Sequence, residues 1–105
     1  MCSIVILKQS DSEWPIIIGA NRDEMSNRDA LPPGRHWDDR PHIFAGKDIT
    51  AGGTWIGIND FGVVAAIMNR MNSLGPMDNK RSRGELVLDA LDHADASEAL
   101  NAIIE

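Results

Sequence analysis

Residues 3–20 read SIVILKQSDSEWPIIIGA, and this stretch contains two apolar segments separated by a polar one. Residues 3–8 and 16–20 are rich in isoleucine and valine, whose branched side chains favour the extended backbone of a strand. Residues 9–13 are polar and turn-like, and Pro15 leads into the second apolar segment. A loop of this length is common in hairpins. The stretch therefore predicts a pair of antiparallel strands at the start of the fold.

Further along the chain, segments with strand and turn signals are followed by segments with helix signals. The predicted elements are, in order, a long polar loop at residues 21–42, a short strand at 43–45, a turn at 46–48, strands at 54–59 and 63–69 joined by a turn at 60–62, and a loop at 71–80. Strands that precede helices, rather than alternate with them, are typical of an α+β fold with antiparallel sheets.

Helix signals begin after residue 81. Ser82 and Glu85 have the spacing of a capping box, in which a serine begins a helix and a glutamate three residues later reaches back to it. An apolar stripe at helical spacing follows, made of Leu86, Val87, Ala90 and Leu91. Asp95 and Glu98 repeat the capping pattern and predict a second helix.

The composition is that of a small globular domain with an acidic surface. The chain has 105 residues, of which 43% are hydrophobic and 25% charged, and its net charge is −6. No basic cluster is present to meet phosphates, which argues against a nucleic-acid partner. No apolar segment has the length that a membrane span requires, and a lone cysteine excludes an internal disulfide, so we expect a cytoplasmic protein.

The last residues carry an apolar helical pattern up to Glu105 without the signals that usually end a helix. We therefore expect residues 1–105 to be the N-terminal portion of a single, truncated domain. Apolar faces left uncovered by such a truncation would favour oligomers.

The single cysteine, Cys2, follows the initiator Met1 and precedes the first predicted strand. Removal of Met1 would give Cys2 a thiol and a free α-amine on the same amino acid. The α-amine has a pKa of about 7.7–8.0, so it can accept a proton near neutral pH. N-terminal nucleophile enzymes use this pairing of nucleophile and base. A cysteine at this position is also commonly inert, and the pattern by itself leaves both interpretations open.

The second predicted strand is followed by the tetrapeptide NRDE, residues 21–24. If the hairpin forms, these polar side chains lie beside the start of the first strand. A carboxylate at Asp23 would hold the α-ammonium group of Cys2, and the amide of Asn21 would donate a hydrogen bond to an oxyanion. Arg22 would bind a substrate carboxylate or form a surface ion pair.

A set of motifs occurs in order along the chain: MCSIVIL, ANRDE, AGKDITAGGTWIGIN, FGVVAAIMNR and SRGEL. Together they resemble the NRDE family, also called the transport and Golgi organisation 2 family. The resemblance implies the N-terminal part of an α-β-β-α sandwich like that of the N-terminal nucleophile hydrolases, with Cys2 as the nucleophile. The layout is similar to that of cysteine acylases with the strand-end pattern Gly-Arg-Asn-x-Asp. Asn21 and Asp23 match that pattern, and Arg22 is shifted by one residue.

The function implied by this resemblance is that of an N-terminal-cysteine amidohydrolase acting on a non-peptide C–N amide bond of a small molecule. The alternative is a non-catalytic protein of the same fold that binds or traffics a small molecule or haem. Haem is implied by the family alone, and His36, His42, Met71 or Met77 would have to contact it. No other cofactor is expected. His36 and His42 flank the stretch WDDRP but match no zinc spacing, so no metal is predicted.

Gly52 and Gly53 precede a predicted strand that holds Trp55. They permit either a backbone that approaches a ligand closely, with Trp55 in the pocket wall, or a tight turn with Trp55 in the core. Asn69 closes the last predicted strand. Its amide would lie at the mouth of the site and contact substrate, or simply be solvated at the strand edge.

Overall fold

The computed structural model describes residues 3–22, 28–68 and 83–104. Its elements are β1 (Ser3–Lys8), β2 (Ile16–Asn21), β3 (Ala30–Gly34), β4 (Ile43–Asp48), β5 (Ile56–Asn59), β6 (Val64–Ala66), α1 (Gly84–Ala90) and α2 (Ala96–Ile104). In these ranges β1 and β2 form one sheet, and the other strands form a second sheet in the order β3-β4-β5-β6. All neighbouring strands are antiparallel. The predicted α+β class is confirmed.

β1 and β2 form the hairpin predicted from residues 3–20. Their pairing is continuous, and Ser3 lies opposite Asn21 at the open end. The Gln9 amide donates a hydrogen bond to the Pro15 carbonyl at 2.7 Å and closes the loop. The register therefore brings the beginning of the first strand beside the end of the second, as the sequence predicted.

The hairpin predicted around residue 60 is also present, with strands shorter than expected. β5 and β6 contain fewer residues than the predicted strands at 54–59 and 63–69. In the turn between them Gly62 has a φ of 89°, a conformation that glycine adopts without steric cost.

Two predictions for the region before residue 49 are wrong. The predicted loop at 21–42 contains β3, and the predicted turn at 46–48 is the second half of β4. β3 includes Pro32 and Pro33, which lack the amide hydrogen that a central strand needs. The two prolines therefore disfavoured the prediction of a strand here. The prolines are accommodated because β3 is at the edge of its sheet and its pairing with β4 is irregular across them.

The hydrophobic core lies between the four-stranded sheet and α1. Ile43 from β4 and Leu91, at the end of α1, are fully buried. The other buried members of this cluster are Ala45, Val63, Val87 and Leu88. β1 and β2, which the structure describes throughout, contribute none of these residues, so the core joins the larger sheet to the helix.

Large apolar side chains on the first hairpin and on α2 are exposed. They include Val5, Ile6, Trp14, Ile16 and Ile104. Oligomer formation through such faces stays a prediction.

Within the described ranges, no helix is both long enough and apolar enough to cross a bilayer.

The two predicted helix caps have different outcomes. Arg83, directly before α1, has helical backbone angles and its side chain makes no capping hydrogen bond, so the capping box predicted with Ser82 at the N-cap stays a prediction. Ser82 itself lies outside the described residues. The cap of α2 is confirmed, because Asp95 Oδ1 accepts hydrogen bonds from the amides of Ser97 and Glu98 at 2.7 and 3.1 Å.

Asn59, at the end of β5, holds the following turn and the end of α1 together. Its side chain is buried, and its Oδ1 accepts hydrogen bonds from the amides of Phe61 and Val63 at 3.0 Å. Its Nδ2 donates to the carbonyls of Leu91 and His93 at 3.0 and 2.7 Å. Both acceptor positions and both donor hydrogens of the side-chain amide are therefore used.

Replacing Asn59 with alanine is expected to lower the free energy of unfolding by about 2–4 kcal/mol, because two buried and two partly buried backbone groups lose their partners. Urea denaturation followed by circular dichroism measures the change. The matched control is Asn101→Ala on the exposed face of α2, for which the expected change is within about 0.5 kcal/mol. Equal values for the two variants would contradict the role assigned to Asn59.

Candidate functional site

A cleft lies where the beginning of β1, the end of β2 and the β5–β6 hairpin meet. The cleft is shallow, and its cavity volume is about 10 Å³, room for about one water molecule. Ser3 and Asn21 form a polar wall, and Trp55 forms another part of the lining. The other lining residues are apolar: Ile4, Ala20, Ile56, Ala66, Ile67 and Met68. The polar groups are thus concentrated at Ser3, the residue that follows Cys2 in the sequence.

The side chain of Asn21 holds the first residue of β1. Its Oδ1 accepts a hydrogen bond from the Ser3 amide at 3.0 Å and another from the Ser3 hydroxyl. A backbone amide can only donate, so the oxygen of the Asn21 amide must face it. The Nδ2 group then points elsewhere, and no acceptor for it is found in the described part of the chain. Asn21 therefore anchors β1 and retains a donor beside the cleft.

Arg22 stacks on Trp55. The guanidinium carbon lies 4.7 Å from the centroid of the indole ring, a distance typical of a cation–π interaction. Both side chains are half-buried. Trp55 therefore both lines the cleft and supports the Arg22 cation over its ring.

Gly46 in β4 makes room for the Trp55 ring. A Cβ atom on Gly46 would lie 2.6 and 2.7 Å from Cη2 and Cζ2 of the indole, closer than real carbon atoms approach. Trp55 is half-buried rather than fully enclosed in the core. The ring is thus held against the sheet while it forms part of the cleft wall.

Asp48, the last residue of β4, is a charged group that the sequence analysis assigned to a turn and did not select. Its carboxylate accepts hydrogen bonds from Arg28 Nε at 3.1 Å and from Arg28 Nη2 at 2.5 Å, and also from the Thr50 amide at 3.1 Å. Burial by itself raises the pKa of this carboxyl. The hydrogen bond and charge of Arg28, the Thr50 amide and the charge of Arg22 outweigh burial, so the pKa lies below its ordinary value of 3.8.

The double glycine before Trp55 packs against the start of α1. Gly52 has a φ of 84°, which suits glycine in a tight turn. A Cβ atom on Gly53 would lie 2.7 Å from the carbonyl carbon of Gly84. The close backbone approach that the sequence suggested is therefore an approach to α1, and it links the GGTW and SRGEL motifs directly.

The structure describes some of the predicted site residues and leaves others out. Asn21, Arg22 and Trp55 are brought together around the cleft. Cys2, Asp23 and Asn69 lie outside the described residues, so their predicted roles stay predictions. Register could have pointed to the missed residue Ser3, since it pairs with Asn21.

The histidines of the loop before β4 make hydrogen bonds within the protein. His36 Nε2 lies 2.7 Å from the Pro32 carbonyl, and His42 Nε2 lies 3.2 Å from Asp92 Oδ1. Each histidine thus has its Nε2 atom engaged within the protein, and Met71 and Met77 lie outside the described residues, so the haem alternative stays a prediction. Among the described side chains, no group of three or more histidine, cysteine or acidic residues is arranged to hold a metal ion.

Gly53→Ala is expected to lower the free energy of unfolding by about 1–3 kcal/mol, because the added methyl group would overlap the backbone of Gly84. Gly19→Ala is the control, since no atom lies within 4 Å of a Cβ at that position. Thermal and urea denaturation of both variants checks the prediction. A Gly53→Ala protein as stable as the Gly19→Ala protein would contradict the close packing described above.

The stability that Asp48 provides is expected to depend on pH. A carboxyl whose pKa is lowered on folding stabilises the fold above its unfolded-state pKa, and this contribution is lost as the pH falls through the lowered value. Asp48→Asn should therefore reduce the free energy of unfolding at pH 7, and its difference from the parent should shrink below pH 3.8. Denaturation curves collected from pH 7 to pH 2.5 measure this.

Asp60→Asn is the matched control for Asp48→Asn. Asp60 pairs with Arg35 at 2.7 Å, but both side chains are about half exposed, so the pair should contribute little at any pH. A difference between Asp48→Asn and parent that stays constant down to pH 2.5 would contradict the ion-pair interpretation.

Comparison with known proteins agrees with the motifs. A family model described as Transport and Golgi organisation 2 matches residues 1–105. The chain is 37% identical over 81 residues to the mouse Transport and Golgi organization 2 homolog. It is 36% identical over 85 residues to the cattle protein and 35% identical over 82 residues to the human protein of the same description. No solved structure matches the chain.

Each of these alignments covers 74% of this chain and 29% of the relative. The chain thus spans less than a third of the length of the curated relatives that it matches. The family model covers every residue, and the identity with the relatives exceeds a third. The chain belongs to the Transport and Golgi organisation 2 family.

Proposed function

We propose that this chain provides the nucleophile and part of the cleft of an N-terminal-cysteine hydrolase acting on a non-peptide C–N amide bond. The single observation that carries the proposal is the fixed position of Ser3, which Asn21 holds at the polar wall of the cleft. Cys2 precedes Ser3 in the sequence, and the proposal requires its thiol to act at this wall. The proposal is for a cytoplasmic protein, because the one cysteine acts as a free thiol.

The proposed reaction begins with removal of Met1. The α-amine of Cys2 takes the thiol proton, and the thiolate attacks the amide carbonyl. The C–N bond of the tetrahedral intermediate then breaks, and the leaving amine receives a proton from the α-ammonium group. Water hydrolyses the resulting thioester, which releases a carboxylic acid and regenerates the thiol.

Asn21 is the proposed donor to the oxyanion. Its Oδ1 is engaged with Ser3, and its Nδ2 group has no acceptor within the described ranges. A donor that is already oriented stabilises the developing negative charge without further reorganisation. Asp23 is proposed to orient the α-ammonium group, as the resemblance to cysteine acylases implies, and Asn69 is proposed to contact substrate at the mouth of the cleft.

The apolar part of the cleft supports an acyl group as the portion of the substrate that is bound there. Ile4, Ile67 and Met68 line it, and a hydrophobic lining with few polar groups is typical of sites for small molecules. Because the relatives are more than three times the aligned length, residues from a longer protein would complete such a site.

The decisive test asks whether activity requires only the thiol of Cys2 or also requires that Cys2 be the N-terminal residue. Intact mass should show that Met1 is removed from the expressed chain. Hydrolysis of a panel of medium-chain acyl amides of 7-amino-4-methylcoumarin should then be detectable and should be abolished by Cys2→Ala. The matched control inserts a lysine between Met1 and Cys2, which retains the thiol but prevents Met1 removal. Activity that survives either change would overturn the proposal.

Asn21→Asp tests the oxyanion donor. An aspartate retains an oxygen that accepts from the Ser3 amide, but it removes the Nδ2 donor and adds a negative charge near the oxyanion. We expect kcat to fall by about 10²-fold or more, the size usual for loss of an oxyanion donor. The free energy of unfolding of Asn21→Asp should be nearly the same as that of the parent. Asn101→Asp is the control and should leave kcat unchanged. An Asn21→Asp protein with the parental kcat would contradict the role of the amide.

A further inference from the structure

We propose that Arg22, held on Trp55, is an anion subsite that selects amides bearing a carboxylate. The inference rests on the proposed amide hydrolysis and names the substrate class for that same cleft. It follows from the arrangement of Arg22, Trp55 and Asp48, in which a guanidinium group lies on an aromatic ring and has no carboxylate partner among the described residues.

The stacking of Arg22 on Trp55 fixes the plane of the guanidinium group. With its carbon 4.7 Å from the ring centroid, one face of the cation is covered by the indole. The N–H groups of arginine lie in the guanidinium plane, so stacking leaves them available at the edge. A planar carboxylate matches that edge through two parallel hydrogen bonds.

Other arginines near the sheet already have carboxylate partners. Arg28 pairs with Asp48 at 2.5 Å, Arg35 pairs with Asp60 at 2.7 Å, and Arg40 lies 3.2 Å from an oxygen of Asp89. For Arg22, no hydrogen bond or ion pair is found among residues 3–22, 28–68 and 83–104.

Asp48 is close enough for the charge of Arg22 to lower its pKa, yet it does not occupy the guanidinium edge. Its oxygens are engaged by Arg28 and by the amide of Thr50. Arg22, Arg28 and Asp48 together carry one net positive charge. These three side chains would therefore attract an entering carboxylate, on a chain whose overall charge is −6.

Trp55 connects this cation to the cleft. The same indole lines the cleft with Ser3 and Asn21 and supports Arg22. A substrate whose acyl portion lies against Ile67 and Met68 would place its amide near the polar wall and extend a carboxylate towards Arg22. The subsite thereby sets both the charge and the orientation of the substrate.

The test compares two ligands that differ in charge. N-octanoylglycine and its neutral analogue N-octanoylethanolamine are titrated into the Cys2→Ala chain by isothermal titration calorimetry, so that no turnover occurs. We expect the carboxylate to bind about ten-fold more tightly or better, as hydrogen bonds to a charged group predict. Arg22→Gln should reduce this preference to less than about two-fold, and Arg22→Lys should retain an intermediate preference because it keeps charge without the planar fork.

Arg35→Gln is the control that removes the same charge from an exposed ion pair, and it should keep the full preference. Circular dichroism of every variant verifies folding. Equal affinity for the two ligands, no binding of either, or a preference that survives Arg22→Gln would overturn the subsite. A preserved preference in a chain that hydrolyses no amide would refute the proposed hydrolysis while supporting the subsite.

Discussion

The fold depends on the buried amide of Asn59. This one side chain satisfies two amides in the turn after β5 and two carbonyls at the end of α1, and those groups are far apart in sequence. At the Val63 amide and the Leu91 carbonyl, burial excludes water as a substitute partner, so the turn and the helix end must come together for these groups to be satisfied. Ile43 and Leu91 then pack in the space between sheet and helix. The hydrogen bonds of Asn59 thus specify which part of α1 meets the sheet. The contacts of Ile43 and Leu91 bury apolar surface between them.

The position of the cleft follows from this docking of α1. Once the helix is placed against the sheet, its first residue, Gly84, contacts the backbone of Gly53, two residues before Trp55. The same segment is held from the other side by backbone hydrogen bonds between Asp48 and the turn residues Gly52 and Gly53. Trp55 is therefore positioned by backbone packing around it, and its ring lies over Gly46 beside the first hairpin. The cleft wall is a consequence of core geometry.

The sequence predicted those elements whose signals are local. Apolar segments on either side of polar or turn residues predicted both hairpins, and the spacing of Asp95 and Glu98 predicted the start of α2. β3 was missed because prolines argue against a strand unless its edge position is known, and that position depends on tertiary pairing. In the site, the types of Asn21, Arg22 and Trp55 pointed to binding chemistry. The orientation of the Asn21 amide and the stacking of Arg22 depend on strand register and on residues distant in sequence. They could therefore not be predicted from composition and spacing.

The one-residue shift of the arginine relative to the acylase pattern acquires a physical meaning in this arrangement. The residue facing Ser3 is Asn21, whose amide both accepts from the strand and retains a donor. The next residue, Arg22, is directed to Trp55 instead of to the polar wall. A cation at the wall would have lowered the pKa of a nearby α-amine and weakened it as a base, because a like charge disfavours protonation. Stacking on an aromatic ring holds the cation in place and leaves its charge available to a ligand. In the proposed mechanism, the shift would therefore separate anion recognition at Arg22 from proton transfer at the α-amine of Cys2.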